Sequence, residues 1–390
     1  MVNRRILRVK AVKNLYAYFN CKQANFELAI ENISADFARD LNSVEPRDET
    51  EMNKKASKAK EAFNHLVFKQ KVEENKDQEI TDSAQSAFDF YKDQNKKDVE
   101  RMKKNLNKDF DTVRNGQLLA LQLLKELANQ NKKIVDEKTQ LSKQFGQDAK
   151  SLTPLYNNQV IDTIFSNEDV KNQITRSGVS WKNDEDKLRG WYKSVLRKQD
   201  FISEYLNNEN TTREDDYDVL DNIVRKLIFK NEVVETYFEE RDLFWEENKP
   251  IVRSLVLKTL KSAKDDGSEV VLPPLSYNWE EDLEYYIDLF VKTIRNNEYY
   301  DALIEKRVKN WKLERLALMD RVIMKTAICE MINFPSIPIK VTINEFIEIS
   351  KTYSTPKSKN FVNGLLDALS EELIESGEIK KSGRGLIDTK

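Results

Sequence analysis

Residues 337–368 read IPIKVTINEFIEISKTYSTPKSKNFVNGLLDA, and this stretch decides the fold prediction. Its apolar residues first recur at helical spacing, which predicts a helix from about Val341 to Tyr353. The Ser-Thr-Pro sequence at 354–356 then supplies a helix cap and a first-turn proline. A last helix is therefore expected from 356 to about 376.

The last helix carries apolar residues at core spacing together with a glycine and an asparagine. The residues predicted to lie in the core are Phe361, Val362, Leu365, Leu366, Ala368, Leu369 and Leu373. Gly364 costs this helix about 1 kcal/mol relative to alanine, which predicts close approach of another backbone. Asn344 and Asn363 are polar residues in otherwise periodic helices, and we expect both to satisfy neighbouring loop backbone. Asn344, Phe361, Asn363 and Gly364 are therefore predicted to be structural.

The composition of the whole chain favours long helices. Only 9 glycines and 8 prolines occur in 390 residues, and 34% of the residues are charged. The apolar residues, 39% of the chain, can line one face of each helix but cannot surround it. No apolar run is close to the length of about 20 residues that a membrane-spanning helix needs. The sequence thus predicts an all-α protein, and its two isolated cysteines fit a reducing, cytoplasmic setting.

The net charge of −3 at pH 7 means that any nucleic-acid site must be a local patch. The strongest such patch lies at the amino terminus, where no acid occurs before Glu27. Its basic residues are Arg4, Arg5, Arg8, Lys10, Lys13 and Lys22, interleaved with apolar residues at helical spacing. The lack of a long apolar run and of a small-residue cleavage site argues against a signal peptide.

Composition shifts and a weak internal repeat divide the chain into five predicted segments. Residues 224–232 match 291–298, Trp245 precedes Trp311 by 66 residues, and the apolar run at 251–260 matches that at 318–328. Stacked helical units of one kind would explain this repeat. The predicted segments are an N-terminal basic helix region (1–45), a polar helical insertion (46–175), a degenerate helical repeat (176–270), a C-terminal helical domain (271–376) and a flexible tail (377–390).

Residues that could carry out catalysis or bind a metal are sparse. His65 is the single histidine and has no cysteine near it, while Cys21 and Cys329 lack any metal-ligand spacing. No phosphate-binding loop, dinucleotide glycine pattern or nucleophile elbow occurs. Paired carboxylates are abundant, but among 67 acids they are best explained as solvated faces. We therefore expect a protein that is not an enzyme and that uses no cofactor and no metal.

Three parts of the sequence resemble the NusB family. The family's loop and helix P-x-K-V-A-I-N-E-A-I-E-L-A-K is similar to Pro338, Lys340, Val341, Ile343, Asn344, Glu345, Ile347, Glu348 and Lys351. Its final helix S-x-x-F-V-N-G-x-L-D is similar to Ser358, Phe361, Val362, Asn363, Gly364, Leu366 and Asp367. Its opening helix is similar to Arg4, Arg5, Arg8, Ala11, Leu15 and Tyr16. The resemblance covers about residues 3–20 and 280–372 and is closest to the long, Bacteroidetes-type form.

This resemblance implies an all-α NusB-like bundle with an extended helical insertion and a degenerate helical repeat. It also implies transcription antitermination, in which the protein binds boxA-type RNA of ribosomal RNA leader transcripts together with the NusE ribosomal protein and modifies RNA polymerase. The RNA-binding residues implied by the family surface, with the basic start of the last helix, are Arg4, Arg5, Arg8, Tyr16, Lys351, Lys357, Ser358, Lys359 and Asn360. Tyr16 or Tyr18 would stack an unpaired base. Because the family often has an acid where Lys357 stands, its base preference is not carried over.

The sequence argues against one other class of function and leaves a second open. A NusB-like domain also occurs in ribosomal RNA cytosine methyltransferases, but these need a Rossmann domain and a Pro-Cys nucleophile, and the sequence has neither. A helical protein-interaction scaffold without RNA binding remains open, because the sequence pI is acidic, near 5.7.

Overall fold

The computed structural model describes residues 3–38, 48–68, 77–144, 154–308 and 315–388. These residues form fifteen α-helices and no β-strand, which confirms the predicted all-α class. None of the described helices is long and apolar enough to cross a membrane. The chain divides into two compact units, which we call the middle unit (Met1–Ile6 and Asn107–Asp282) and the terminal unit (Leu7–Leu106 and Leu283–Lys390).

The terminal unit combines both ends of the chain. Its helices are most of α1 (Arg4–Asp36), α2 (Glu49–Val67), the first part of α3 (Gln78–Gln144), most of α11 (Trp279–Arg295), α12 (Asn297–Arg307), α13 (Leu318–Asn333), α14 (Ile339–Tyr353) and α15 (Ser358–Glu375), followed by a 3₁₀ helix at Gly383–Asp388. Helices α13, α14 and α15 pack on one another. Helix α13 is buried along nearly its whole length, so it is the central helix of this unit.

A second apolar cluster of the terminal unit joins the end of α1 to α2 and the start of α3. Its buried members are Ala29, Ile33, Phe37, Ala59, Phe63, Ile80, Ala84, Ala87 and Tyr91. Burial of apolar surface stabilises such a contact by about 25 cal/mol per Å². This contact explains why α1 extends to Asp36, well beyond the opening motif.

The middle unit is built from short helices packed around the second part of α3. They are α4 (Gln159–Ser166), α5 (Glu168–Ser177), α6 (Glu185–Ser194), α7 (Asp200–Asn207), α8 (Arg213–Asn222), α9 (Glu232–Glu239) and α10 (Trp245–Ser262). Local sequence sets the ends of several: Thr212 and Asp215 form a capping box at α8, and Gly178 ends α5 with φ of 66°. Aromatic stacking of Phe238 on Trp245, with ring centroids 4.8 Å apart, fills part of the core.

The helix boundaries differ from the predictions at two places. The apolar spacing of residues 279–311 predicts a single helix, and this prediction is wrong, because α11 ends at Arg295 and α12 begins at Asn297. The apolar spacing of residues 188–206 also predicts one helix, but this stretch is divided into α6, a 3₁₀ turn and α7. The polar composition of residues 46–150 predicts extended amphipathic helices, with a helical hairpin as one arrangement, and the described residues of this region form α2 and the 67-residue α3, whose start packs with α2.

The two copies of the internal repeat fall on similar pairs of helices. Residues 224–232 and 291–298 each end one helical segment and begin the next, while 251–260 and 318–328 lie within α10 and α13. Trp245 begins α10, whereas Trp311 lies outside the described residues. The five predicted segment boundaries stay predictions.

Candidate nucleic-acid interface

The basic start of α1 contains both exposed and buried cations. Arg5 is exposed, whereas Arg4 is only partly so and forms an ion pair with Glu281. Arg4 Nε also lies 4.0 Å from an Asp282 carboxylate oxygen, so its charge is partly compensated within the middle unit. The basic patch predicted at the amino terminus is therefore not a uniform basic face in this described part of α1.

Arg8 is a buried ion-pair residue of the terminal unit, with only 4% of its surface exposed. Its Nε atom donates to both carboxylate oxygens of Glu330, at 2.8 and 3.1 Å. Glu330 also accepts hydrogen bonds from the hydroxyls of Tyr285 and, at 2.6 Å, Thr342. Burial, the largest single influence, would lower the pKa of Arg8, but the charge and hydrogen bond of Glu330 together with the nearby Tyr285 and Glu345 outweigh it, and the pKa is raised. Arg8 thus has no surface left for an RNA contact.

The next turn of α1 brings an aromatic side chain to the surface. Tyr16 is 37% exposed, whereas Tyr18 is buried with its ring edge against Phe290. Lys13, one turn before Tyr16, holds its Nζ atom 5.3 Å from the centre of the Tyr353 ring, at the end of α14. Of the two tyrosines proposed to stack a base, Tyr16 is therefore the accessible one, and its turn of α1 adjoins the end of α14.

The turn between α14 and α15 is fixed by hydroxyl groups and one buried carboxylate. Asp320, in the first turn of α13, accepts hydrogen bonds from Ser354 Oγ at 2.5 Å and from Ser358 Oγ at 2.7 Å. Ser358 Oγ also lies 2.7 Å from Thr355 Oγ1. Because Ser358 is only 5% exposed and its hydroxyl is engaged, it is not positioned for the RNA contact predicted from sequence.

The start of α15 presents three exposed polar residues, two of them lysines. We call this set the basic turn: Lys357, Lys359 and Asn360. Within the part of the chain that the structure describes, no ion pair involves Lys357 or Lys359. Lys351, near the end of α14, is also exposed but pairs with Glu348. The first backbone N–H groups of α15 and the positive end of its dipole lie at the same place, which favours an anion there.

The four residues predicted to be structural are mostly at the surface. Phe361 is 36% exposed, so its predicted core position is wrong. Gly364 is also exposed, and a Cβ added there would meet no described atom within 4 Å, so the predicted close backbone approach is wrong as well. Asn344 is exposed, while the Asn363 amide donates to Asp367 at 3.0 Å rather than to loop backbone. The other predicted core residues of α15 are buried, except the partly exposed Ala368.

Sequence reasoning missed one residue of this region, Asp320, and the contact made by another, Lys13. Lys13 was part of the amino-terminal basic run, but its contact with Tyr353 joins positions that are 340 residues apart. Asp320 gave no signal, because an acid in the first turn of a helix is common and favourable in itself. Both depend on tertiary contacts that no local pattern encodes.

Comparison with known proteins identifies a family at the carboxy-terminal half. A model of the NusB family matches residues 251–371. Proteins named transcription antitermination protein NusB are 44% identical over 99 residues in Salinibacter ruber, 45% over 105 in Chloroherpeton thalassium and 44% over 94 in Bacillus mycoides. These matches cover 25%, 27% and 24% of this chain, and 62%, 50% and 72% of the relatives. The chain thus spans 50–72% of the length of these three relatives. No solved structure matches it significantly.

Proposed function

Because the chain belongs to the NusB family, we propose that it is a transcription antitermination factor, acting in the cytoplasm without any catalytic step. In this proposal it binds boxA-type RNA of ribosomal RNA leader transcripts together with the NusE ribosomal protein. The complex then alters the processivity of RNA polymerase. The observation that supports RNA binding most directly is the basic turn, with two exposed lysines at a helix start.

The basic turn fits a single-stranded RNA backbone for physical reasons. Lys357 and Lys359 can approach a phosphate while the first amides of α15 donate to its oxygens. Tyr16 supplies an exposed ring on which an unpaired base can stack, and the contact of Lys13 with Tyr353 brings that turn of α1 beside α14. Phosphate binding and base stacking together are the usual means of holding single-stranded RNA.

The proposed contact set is therefore Tyr16, Lys351, Lys357, Lys359 and Asn360, with Arg4 and Arg5 retained as predicted contacts. Arg8 and Ser358 are not in it, because both are buried and hydrogen-bonded within the terminal unit. For the protein partner, α14 and α15 offer exposed apolar side chains at Val341 and Phe361. Such residues are suitable anchors for a protein interface.

A fluorescence anisotropy titration with a short boxA-type RNA, with and without NusE, tests this function. The double variant Lys357→Glu/Lys359→Glu should bind at least tenfold more weakly, since each reversal places an acid against a phosphate. The matched control is Lys193→Glu/Lys198→Glu, which reverses two exposed lysines of the middle unit. Unmeasurable binding by the wild-type protein, or equal effects of the two double variants, would contradict the proposal.

The same titration separates the scaffold alternative. A protein that binds NusE but no RNA would be a helical interaction scaffold. The acidic pI and the exposed Leu243 of the middle unit are the features that favour this second function.

A further inference from the structure

A buried carboxylate on α13 holds the two ends of the turn that carries Lys357 and leads directly into Lys359. We propose that Asp320 is a positioning residue for RNA binding, which fixes the basic turn through Ser354 and Ser358. This inference rests on the proposed function and assigns to Asp320 a role distinct from RNA contact. Its side chain is only 6% exposed, so it acts through the two serines.

The geometry joins the end of one helix to the start of the next. Ser354 is the C-cap of α14 and Ser358 is the first residue of α15. Each binds a different oxygen of Asp320, at 2.5 and 2.7 Å, and the two hydroxyl oxygens lie 3.1 Å apart. The three intervening residues, which include Lys357, are thus held between two anchored ends.

The start of α15 depends on this contact because it has no side-chain cap of its own. Lys357 occupies the N-cap position, and a lysine side chain carries no acceptor for the orphan amides of a helix start. Asp320 instead anchors the turn from a neighbouring helix. Hydrogen bonds to an ionised acceptor are about twice as strong as neutral ones, so this anchor is a firm one.

The anchor itself is rigid. Asp320 lies in the first turn of α13, where the helix dipole favours a carboxylate. The following residues Val322, Ile323 and Met324 are fully buried. A site is held within about 0.5 Å of its working geometry only when packed residues support it, and α13 provides that support.

The sign of the expected effect separates positioning from simple electrostatics. The negative charge of Asp320 lies next to the turn where we place a phosphate, so charge repulsion alone would make its removal strengthen RNA binding. Positioning predicts the opposite, because a freed turn must be ordered again when RNA binds. The two explanations therefore give opposite changes in Kd for Asp320→Asn.

The test measures the Kd for a short single-stranded boxA-type RNA by fluorescence anisotropy, with the full-length protein. We expect Asp320→Asn and Ser358→Ala each to weaken binding about fivefold to tenfold. The double variant Asp320→Asn/Ser358→Ala should bind RNA no more weakly than the weaker-binding of the two single variants, because both changes remove the same contact. Ser358→Thr, which keeps the hydroxyl, should bind like the wild type.

A serine on the same helix provides the control for loss of stability. Ser370 is also buried in α15, but its hydroxyl bonds only the backbone oxygen of Asp367. Ser370→Ala should leave the Kd unchanged. Urea unfolding of each variant verifies that RNA binding is compared under conditions where all variants are fully folded. In Asp320→Asn, amide hydrogen exchange in the first turn of α15 should be faster than in the wild type.

The outcomes are distinct. Equal or tighter RNA binding by Asp320→Asn, or independent, additive effects of the two single variants, overturns the positioning role and leaves the proposed function intact. A weakening by Ser370→Ala equal to that of Ser358→Ala also overturns it. A wild-type protein that binds no boxA-type RNA defeats the proposed function, and the positioning role with it.

Discussion

At the scale of single residues, Lys325 is a cation held inside the terminal unit. Its side chain is almost fully buried, and its Nζ atom donates to Asn297 Oδ1 at 2.6 Å and to Asp301 at 2.7 Å. Burial disfavours the charged form and lowers the pKa of Lys325 to about 8, although Asp301 opposes this change. The charged lysine therefore reduces the stability of the folded state at neutral pH.

We predict that this lysine makes the protein more stable as the pH rises. An unfolded lysine has a pKa near 10.4, so between about pH 8 and pH 10 the unfolded chain binds more protons at this position than the folded one. The contribution of Lys325 to the free energy of unfolding should thus increase by about 2–3 kcal/mol over this window. Urea unfolding at pH 7.5 and 10 measures it as the difference between the wild type and Lys325→Met.

The control for this prediction is an exposed lysine of the same unit. Lys359→Met should show the same pH dependence as the wild type, since Lys359 is exposed and has no described ion pair. If Lys325→Met also follows the wild-type curve, burial does not govern the titration of this lysine.

Burial is the property of single residues that the sequence predicted least well. The family resemblance implied that Arg8 contacts RNA beside Arg4 and Arg5, but its buried partner Glu330 is 322 residues away. Ser358 was placed correctly at the start of a helix, yet its hydroxyl is occupied by Asp320 from another helix. Local patterns identify which groups are available for chemistry, whereas tertiary packing decides which of them remain free.

At the scale of helices and their connections, two glycines of the terminal unit should respond oppositely to alanine. Gly364 lies on the open face of α15, so Gly364→Ala should stabilise the unit by about 0.5–1 kcal/mol in urea unfolding. A Cβ at Gly385 would lie 2.0 Å from the backbone oxygen of Pro335, which cannot move aside easily. Gly385→Ala should therefore displace the 3₁₀ helix at Gly383–Asp388 from the loop at Pro335.

Limited trypsin digestion detects this displacement. Lys381 is held against the loop by a hydrogen bond from its Nζ to the Phe334 oxygen, and Ser382 N donates to Pro335 O at 3.0 Å. Cleavage after Lys381 should be at least fivefold faster in Gly385→Ala, since proteases cut the opened segment. Gly364→Ala serves as the control with wild-type cleavage. Equal cleavage of both variants would mean that the segment tolerates the extra methyl group in place.

Helix content was predictable, but helix ends and neighbours were less so. The apolar period of 3.6 predicted α14, α15 and most core residues of α15. The apolar spacing continues across Asn296, although the chain turns there between α11 and α12. This spacing alone therefore could not locate the end of α11. It also placed Phe361 in the core, because a residue at the edge of an apolar stripe has the same spacing as one at its centre.

At the scale of the whole molecule, amino-acid composition was sufficient to predict the fold class. The resemblance of its motifs was sufficient to predict the family. The scarcity of glycine and proline predicted the all-α structure, and the motifs near both ends predicted the NusB family. The assembly of α1 with α11–α15 in one unit involves residues separated by more than 240 positions. No propensity encodes such a contact, and only the family resemblance indicated it.

The distribution of charge gives a prediction for the whole protein. With a formal net charge of −3, the molecule as a whole should not attract RNA, so the salt dependence must come from a few local contacts. For single-stranded nucleic acid each neutralised phosphate contributes about −0.7 to the slope of log K against log salt. Replacing Lys351, Lys357 and Lys359 with alanine should therefore make the slope less steep by about 2.

A charge-matched variant separates the local patch from the field of the whole protein. Replacing three exposed lysines of the middle unit, Lys193, Lys198 and Lys230, with alanine also takes the net charge from −3 to −6. If local contacts bind the phosphates, this second variant keeps the wild-type slope, because only lysines that neutralise a phosphate release its counterions. Equal losses of slope in the two variants would instead mean that RNA responds to the total charge, and the basic turn would have no special role.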